Sequence, residues 1–238
     1  MKKCYARDAA NNGMHPTADS TAFIHLNHAG RRVMPGVRSL IPSGNVRTQQ
    51  RTSSATFQEM RSRMRKIKYH VASTVDGFIA HKDHTVGGFL PEGEHVTDYL
   101  ESLRQDYDAV LMGRRTYEFG LQFGVTDPYP WLKQYVLSRT MGRSPDANVE
   151  LVSENIIDFA RGLKGGAGKD IYLCGGAELA GSLFAEDLID ELVLKLNPVL
   201  FGAGIPLLSG AMKPSALELT ESKAYGNGVM LLRYLVKS

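Results

Sequence analysis

Three apolar runs, each broken at its end by a short polar motif, constrain this 238-residue chain more than any other feature. Ala109-Val110-Leu111-Met112 leads into Gly113-Arg114-Arg115-Thr116, and Tyr135-Val136-Leu137 into Ser138-Arg139-Thr140. Ile171-Tyr172-Leu173-Cys174 leads into Gly175-Gly176-Ala177-Glu178-Leu179. Short β-rich runs predict buried strands, and a glycine or hydroxyl just past them predicts the turn into a loop or helix. In an open α/β sheet such strand ends present backbone N–H groups to a ligand. Glycine lets a phosphate approach the backbone, and arginine holds a terminal phosphate in a fork. The motifs therefore read as one anion-cradling edge, suited to a phosphorylated dinucleotide.

The rest of the chain from residue 64 onward fits around that edge. Residues 66–73 read as a first strand, with Asp76-Gly77 as the turn after it. A glycine- and charge-rich stretch over 81–93 reads as a loop placed to cover a site. Val96, Tyr99, Leu100 and Leu103 fall at i, i+3, i+4 and i+7, which predicts a helix over 95–104. Further helices are expected at 115–119, 155–163 and 177–184, with strands at 109–112, 134–137, 150–152 and 171–174. The stretch 192–199 is mostly apolar and reads as a central strand buried on both faces. Residues 217–222 and 229–236 flank Tyr225-Gly226-Asn227-Gly228, a hairpin signal. The prediction is an α/β fold: a mixed, mainly parallel sheet with helices on both faces and an antiparallel end.

Charge divides the chain. Residues 1–63 hold ten Lys/Arg against three Asp/Glu, a formal +7, so the whole-chain +3 leaves −4 for residues 64–238. The first segment shows no sustained period of 2 or 3.6 and is punctuated by Asn11-Asn12-Gly13, Met34-Pro35-Gly36 and Ile41-Pro42-Ser43-Gly44. It is read as a basic, disordered extension, with upstream sequence ahead of a start at Met64, or a targeting or nucleic-acid arm, as the alternatives. The domain itself is mildly acidic, which argues against nucleic acid as its partner, and the chain has no signal-peptide core or membrane-length apolar span. Two cysteines, Cys4 and Cys174, make no disulfide framework and fit a reducing cytoplasm. Cys174 reads as a small buried hydrophobe.

The same motifs carry a family resemblance. Gly113-Arg114-Arg115-Thr116, Leu137-Ser138-Arg139 and the late Gly-Gly-Ala-Glu-Leu occur in the order and rough spacing of the dihydrofolate-reductase-like fold. Ser73-Thr74-Val75-Asp76-Gly77-Phe78-Ile79-Ala80 is similar to the opening segment of one branch of it. So is Leu188-Ile189-Asp190-Glu191-Leu192 followed by Asn197-Pro198-Val199-Leu200-Phe201-Gly202-Ala203-Gly204. That branch contains the C-terminal reductase domain of the bifunctional riboflavin-biosynthesis deaminase–reductase, and the resemblance runs from Met64 to Ser238. It implies NADPH as cofactor and a small-molecule substrate; homodimers are common in the branch, and the oligomeric state stays open.

Each candidate has a plain structural reading beside the functional one. Arg114 and Arg139 are expected to read a 2′-phosphate, with Arg115 as substitute, against solvated loop arginines. Thr116 resembles a pyrophosphate contact or serves as a helix cap. Gly113, Leu137, Ser138, Gly175, Gly176, Ala177, Glu178 and Leu179 complete the expected cofactor wall, where a tight turn is the alternative for the glycines. Asp76 borders the substrate and nicotinamide region in the resembling branch, or simply forms a turn with Gly77. Asp98 falls near the pocket carboxylate of dihydrofolate reductases, although its helical position opposite the apolar stripe points to solvent. His81 and His84 read as solvated loop histidines rather than metal ligands, and Trp131 as packing.

These readings predict an NADPH-dependent reductase acting on a small heterocyclic or carbonyl-bearing molecule. The alternative is a non-catalytic nucleotide- or pterin-binding protein. Two positions depart from the folate-reducing relatives: Leu132 stands where they carry an arginine for the substrate carboxylate, and Lys195 where they carry a threonine.

Overall fold

The computed structural model describes residues 64–210 and 213–237, so the readings on residues 1–63, Cys4 among them, lie outside the described residues. The strands are β1 (Ile67–Thr74), β2 (Phe78–Ala80), β3 (Tyr107–Gly113), β4 (Lys133–Leu137), β5 (Val149–Val152), β6 (Asp170–Gly175), β7 (Glu191–Asn197), β8 (Ile205–Pro206), β9 (Leu217–Ala224) and β10 (Met230–Val236). Between them lie α1 (Glu94–Gln105), α2 (Arg114–Leu121), α3 (Ile156–Gly165) and α4 (Ala177–Ala185). Eight strands form one sheet in the order β5-β4-β3-β6-β1-β7-β10-β9. From β5 to β7 every pairing is parallel, while β10 runs antiparallel to both β7 and β9. The mixed sheet and the C-terminal hairpin are as the periodicities predict.

Alternation along the strands sends successive residues to opposite faces. On one face Ile67, Tyr69, Leu111, Ile171 and Leu173 pack with Ala160 of α3 and with Ala180 and Leu183 of α4. On the other, Val110, Met112, Val136 and Tyr172 pack with Leu103 of α1 and Tyr117 of α2. Helices thus cover both faces.

Three details differ from expectation. Strand β7 is interior, but only Leu192, Val193 and Asn197 are buried; Leu194, Lys195 and Leu196 are half-buried, and Lys195 lines a cleft. The buried side of α1 is rotated: His95 and Leu103 are buried, whereas Leu100 is 41% exposed. The turn of the β9–β10 hairpin causes this, since His95 hydrogen-bonds to Asn227 at 3.1 Å and meets the Tyr225 ring. Finally, β2 and β8 form a separate two-stranded ribbon that no periodicity announced. Among the described residues no helix is long and apolar enough to cross a membrane.

Candidate functional site

The carboxyl ends of the parallel strands open into a cleft of about 1430 Å³. One wall is built from the strand-end motifs. Gly113, Arg114, Arg115 and Thr116 enter it after β3, Leu137, Ser138 and Arg139 after β4, and Gly176, Ala177, Glu178 and Leu179 after β6. Ser153, Glu154 and Asn155, after β5, extend the wall. Sequence reasoning missed this last group because β5 is short, although the signal, an apolar strand closed by a hydroxyl, is the same.

Backbone packing explains the glycines. A Cβ at Gly113 would meet the Gly176 nitrogen at 3.3 Å, and one at Gly176 would meet Thr116 Oγ1 at 3.4 Å. Gly175 has φ +127°, a region that side chains disfavour, and the Gly175–Gly176 peptide is cis. Helices α2, α3 and α4 all begin without a side-chain hydrogen bond to their first turn. Their leading N–H groups, together with the positive end of each helix dipole, are the elements of an anion site.

The three arginines are not equivalent. Arg114 is paired with Glu118 at 2.8 Å and Arg115 with Glu178 at 2.9 Å. Arg139 is exposed and has no ion pair among the described residues. Ser138 is buried, and its Oγ accepts the N–H groups of Thr140 and Met141 at 3.2 and 3.0 Å, so its hydroxyl shapes the loop that carries Arg139.

The far end of the cleft is aromatic. Tyr172 and Cys174 of β6, His70 and Ala72 of β1, Lys195 of β7 and Tyr99 of α1 line it. The Tyr99 and Tyr172 hydroxyls hydrogen-bond to each other at 2.8 Å, and the Tyr129 hydroxyl lies 3.5 Å from Cys174 Sγ. Burial pushes the Tyr172 and Cys174 pKa values up, which keeps both protonated, and it lowers that of Lys195. Cys174 is half-buried, packed against the second core and bordering the cleft. From the other side, residues of the 81–93 loop cover this end, with Lys82, His84, Phe89 and Leu90 among the lining, and Ile205 and Pro206 of β8 border it.

Neither candidate acid is among the residues lining the cleft. The Asp76 carboxylate accepts hydrogen bonds from Thr74 Oγ1 at 2.5 Å and from the N–H groups of Phe201 and Gly202, and the Thr74 bond leads in lowering its pKa. It ties the turn after β1 to the loop before β8. Asp98 is partly exposed but not free: Lys223 Nζ donates to it at 2.7 Å and the Tyr225 hydroxyl at 2.8 Å, so its pKa is lowered, chiefly by Lys223. It borders a separate cavity of about 100 Å³ between α1 and the hairpin. His81 stacks on Phe201 with ring centroids 3.8 Å apart. Trp131 lies under the Arg104 guanidinium, and Leu132 is buried in the core. Among the described residues no group of three His, Cys, Asp or Glu side chains is placed to hold a metal ion.

Known proteins resemble this chain in sequence and in fold. Residues 65–231 match the RibD C-terminal domain family. The uncharacterized protein YwjB of Bacillus subtilis (strain 168) is 33% identical over 168 residues, covering 70% of this chain and 96% of that protein. A Shewanella sp. PV-4 protein whose name assigns it to riboflavin biosynthesis has a structure similar to this one, with a TM-score of 0.63, 26% identity and 73% and 99% of the two chains covered. The diaminohydroxyphosphoribosylaminopyrimidine deaminase/5-amino-6-(5-phosphoribosylamino)uracil reductase of Thermotoga maritima shares the fold at 16% identity and a TM-score of 0.54, over 74% of this chain and 58% of that one. With its strand-end glycines, mixed sheet and antiparallel hairpin, this chain belongs to the RibD C-terminal domain family.

Proposed function

We propose that the protein is an NADPH-dependent reductase that transfers a hydride to a small heterocyclic or carbonyl-bearing molecule. The observation that carries this reading is the convergence of three uncapped helix N-termini and three arginines on one wall of the cleft. The volume of about 1430 Å³ exceeds the roughly 300–1000 Å³ usual for one small-molecule site, which suits a dinucleotide with a second ligand beside it. The N–H groups leading α2 and α4, with Thr116, would hold the pyrophosphate, and Gly113, Gly175 and Gly176 admit it to the backbone. Arg139 would hold the 2′-phosphate, assisted by Arg114 once Glu118 releases it. When bound, the reduced nicotinamide supplies the hydride.

The protein itself supplies orientation and a dry site. The 81–93 loop and the β2–β8 ribbon cover the aromatic end and keep water from it. Asp76 and Asp98 act here as positioning residues: one fixes the loop that leads into β8, the other fixes α1 against β9. Purified protein is to be mixed with NADPH and a panel of pterins, flavin precursors and small carbonyls while absorbance of the reduced nicotinamide is followed. Substrate-dependent loss of that absorbance is expected. A protein that binds NADPH yet consumes none with any of them would be a binding module instead.

A further inference from the structure

His70 and Lys195 stand on one sheet face beneath α1, at the end of the cleft away from the arginines. Ala72 of β1 is the register partner of Lys195 on β7, and His70 lies two residues back on the same face. His70 is 3% exposed, and neither ring nitrogen has a hydrogen-bond partner. Buried polar groups are nearly always paired in folded proteins, so an orphaned imidazole on a cleft wall points to a partner that arrives with a ligand.

Lys195 has the complementary defect. Its ammonium lies 5.3 Å from the centre of the Tyr99 ring, and no carboxylate offsets the burial that lowers its pKa. The neighbouring acids are engaged elsewhere: Asp98 by Lys223 and Tyr225, and Glu221 by Arg233. The acids that line the cleft, Glu154, Asp158 and Glu178, belong to the starts of α3 and α4, on the nucleotide wall. The aromatic end therefore has a desolvated cation, an uncharged imidazole and no carboxylate. Tyr99 and Tyr172 meet the His70 ring edge-on, with centroids 5.0 and 6.1 Å away, and give this end flat apolar walls.

We infer that this end of the cleft is a subsite for a small planar aromatic or heteroaromatic anion, its negatively charged oxygen held by Lys195 and by an N–H of His70. An anion gives Lys195 the counter-charge it lacks, and the low local dielectric strengthens that pair. A neutral imidazole has one donor and one acceptor, so it can serve the oxygen without adding charge. A cationic ring would meet an unpaired ammonium. The inference names the substrate class of the reductase reading, and rests on that reading only in calling the ligand a substrate.

The test is calorimetric titration of the full chain with benzoate and with its neutral isostere benzamide, without and with NADPH. Benzoate is expected to bind at least about tenfold more tightly, the increment of one hydrogen-bonded charge. Lys195→Met should bring the two affinities together, and Lys195→Arg should keep them apart. The ring ¹⁵N signals of His70 should move with benzoate and stay still with benzamide. Equal binding of the two probes, no binding of benzoate at millimolar concentration, or a preference that survives Lys195→Met would overturn the inference. NADPH affinity is read in the same samples: its absence in the wild type would sink the reductase reading while leaving the benzoate comparison intact.

Discussion

Arg139 is the arginine that the cleft leaves most available, since Arg114 and Arg115 are each tied to a glutamate. A charge-assisted bond to phosphate contributes about 1.5–3 kcal/mol, so Arg139→Ala should weaken NADPH by about tenfold or more. NADH, which has no 2′-phosphate, should be nearly unaffected. Arg114→Ala should cost less, because the wild type must first break the Glu118 pair. Equal losses for both cofactors in calorimetry would remove Arg139 from this role. His70 supports a second expectation. Burial lowers its pKa to about 3 from the ordinary 6.5. Between those values the unfolded chain holds the extra proton, so this contribution to stability is complete above pH 6.5 and is lost as pH falls towards 3. His70→Phe should flatten the dependence of urea stability on pH in that window by up to about 1.4 kcal/mol per pH unit, and an unchanged slope would contradict the burial. At this scale the strand-end residues that line the cleft were legible because each motif is local in sequence. Asp98 was not: its partners Lys223 and Tyr225 come from the hairpin, more than a hundred residues later.

Among the elements, α4 bears most directly on the proposed cofactor site, since its first turn is part of the cleft wall. Gly181 in its middle packs so closely that a Cβ would drive into the carbonyl oxygen of Ser209. Gly181→Ala should therefore cost about 1–3 kcal/mol and weaken NADPH as the helix shifts. Denaturant unfolding with parallel NADPH titration checks both, and a variant as stable as the wild type would show that α4 moves freely. Sequence pattern placed the described helices and the long strands that pack against them because each buries residues there, whereas exposed β9 was placed by the Tyr225-Gly226-Asn227-Gly228 turn signal. Periodicity failed at the β2–β8 ribbon, where Phe78–Ala80 and Ile205–Pro206 are too short to show a period. It also misjudged part of α1: Leu103 and Tyr99 of its stripe pack on the second core, but Leu100 is exposed and His95 is buried against the hairpin turn. The aromatic end of the cleft was hidden for a related reason. Tyr99 comes from one element and Tyr172 and Cys174 from another, each fitting an ordinary core pattern when read alone, and Lys195 stood out only as a departure from the folate-reducing relatives.

At the scale of the whole molecule, the described residues hold two cores, one on each face of a single eight-stranded sheet. We propose that residues 64–238 are the reductase domain and residues 1–63 an extension with too little apolar surface to offset its own ordering entropy. A chain beginning at Met64 should then keep the melting temperature and NADPH affinity of the full chain, and a large drop in either would show that the extension contributes. The account stands or falls on the phosphate-holding wall at the carboxyl edge of the sheet. Its most direct test is calorimetric titration of the wild-type protein with NADPH and, separately, NADH. One NADPH per chain, bound at least about tenfold more tightly than NADH, is the expected result. No binding of either dinucleotide, or equal affinity for the two, would contradict it.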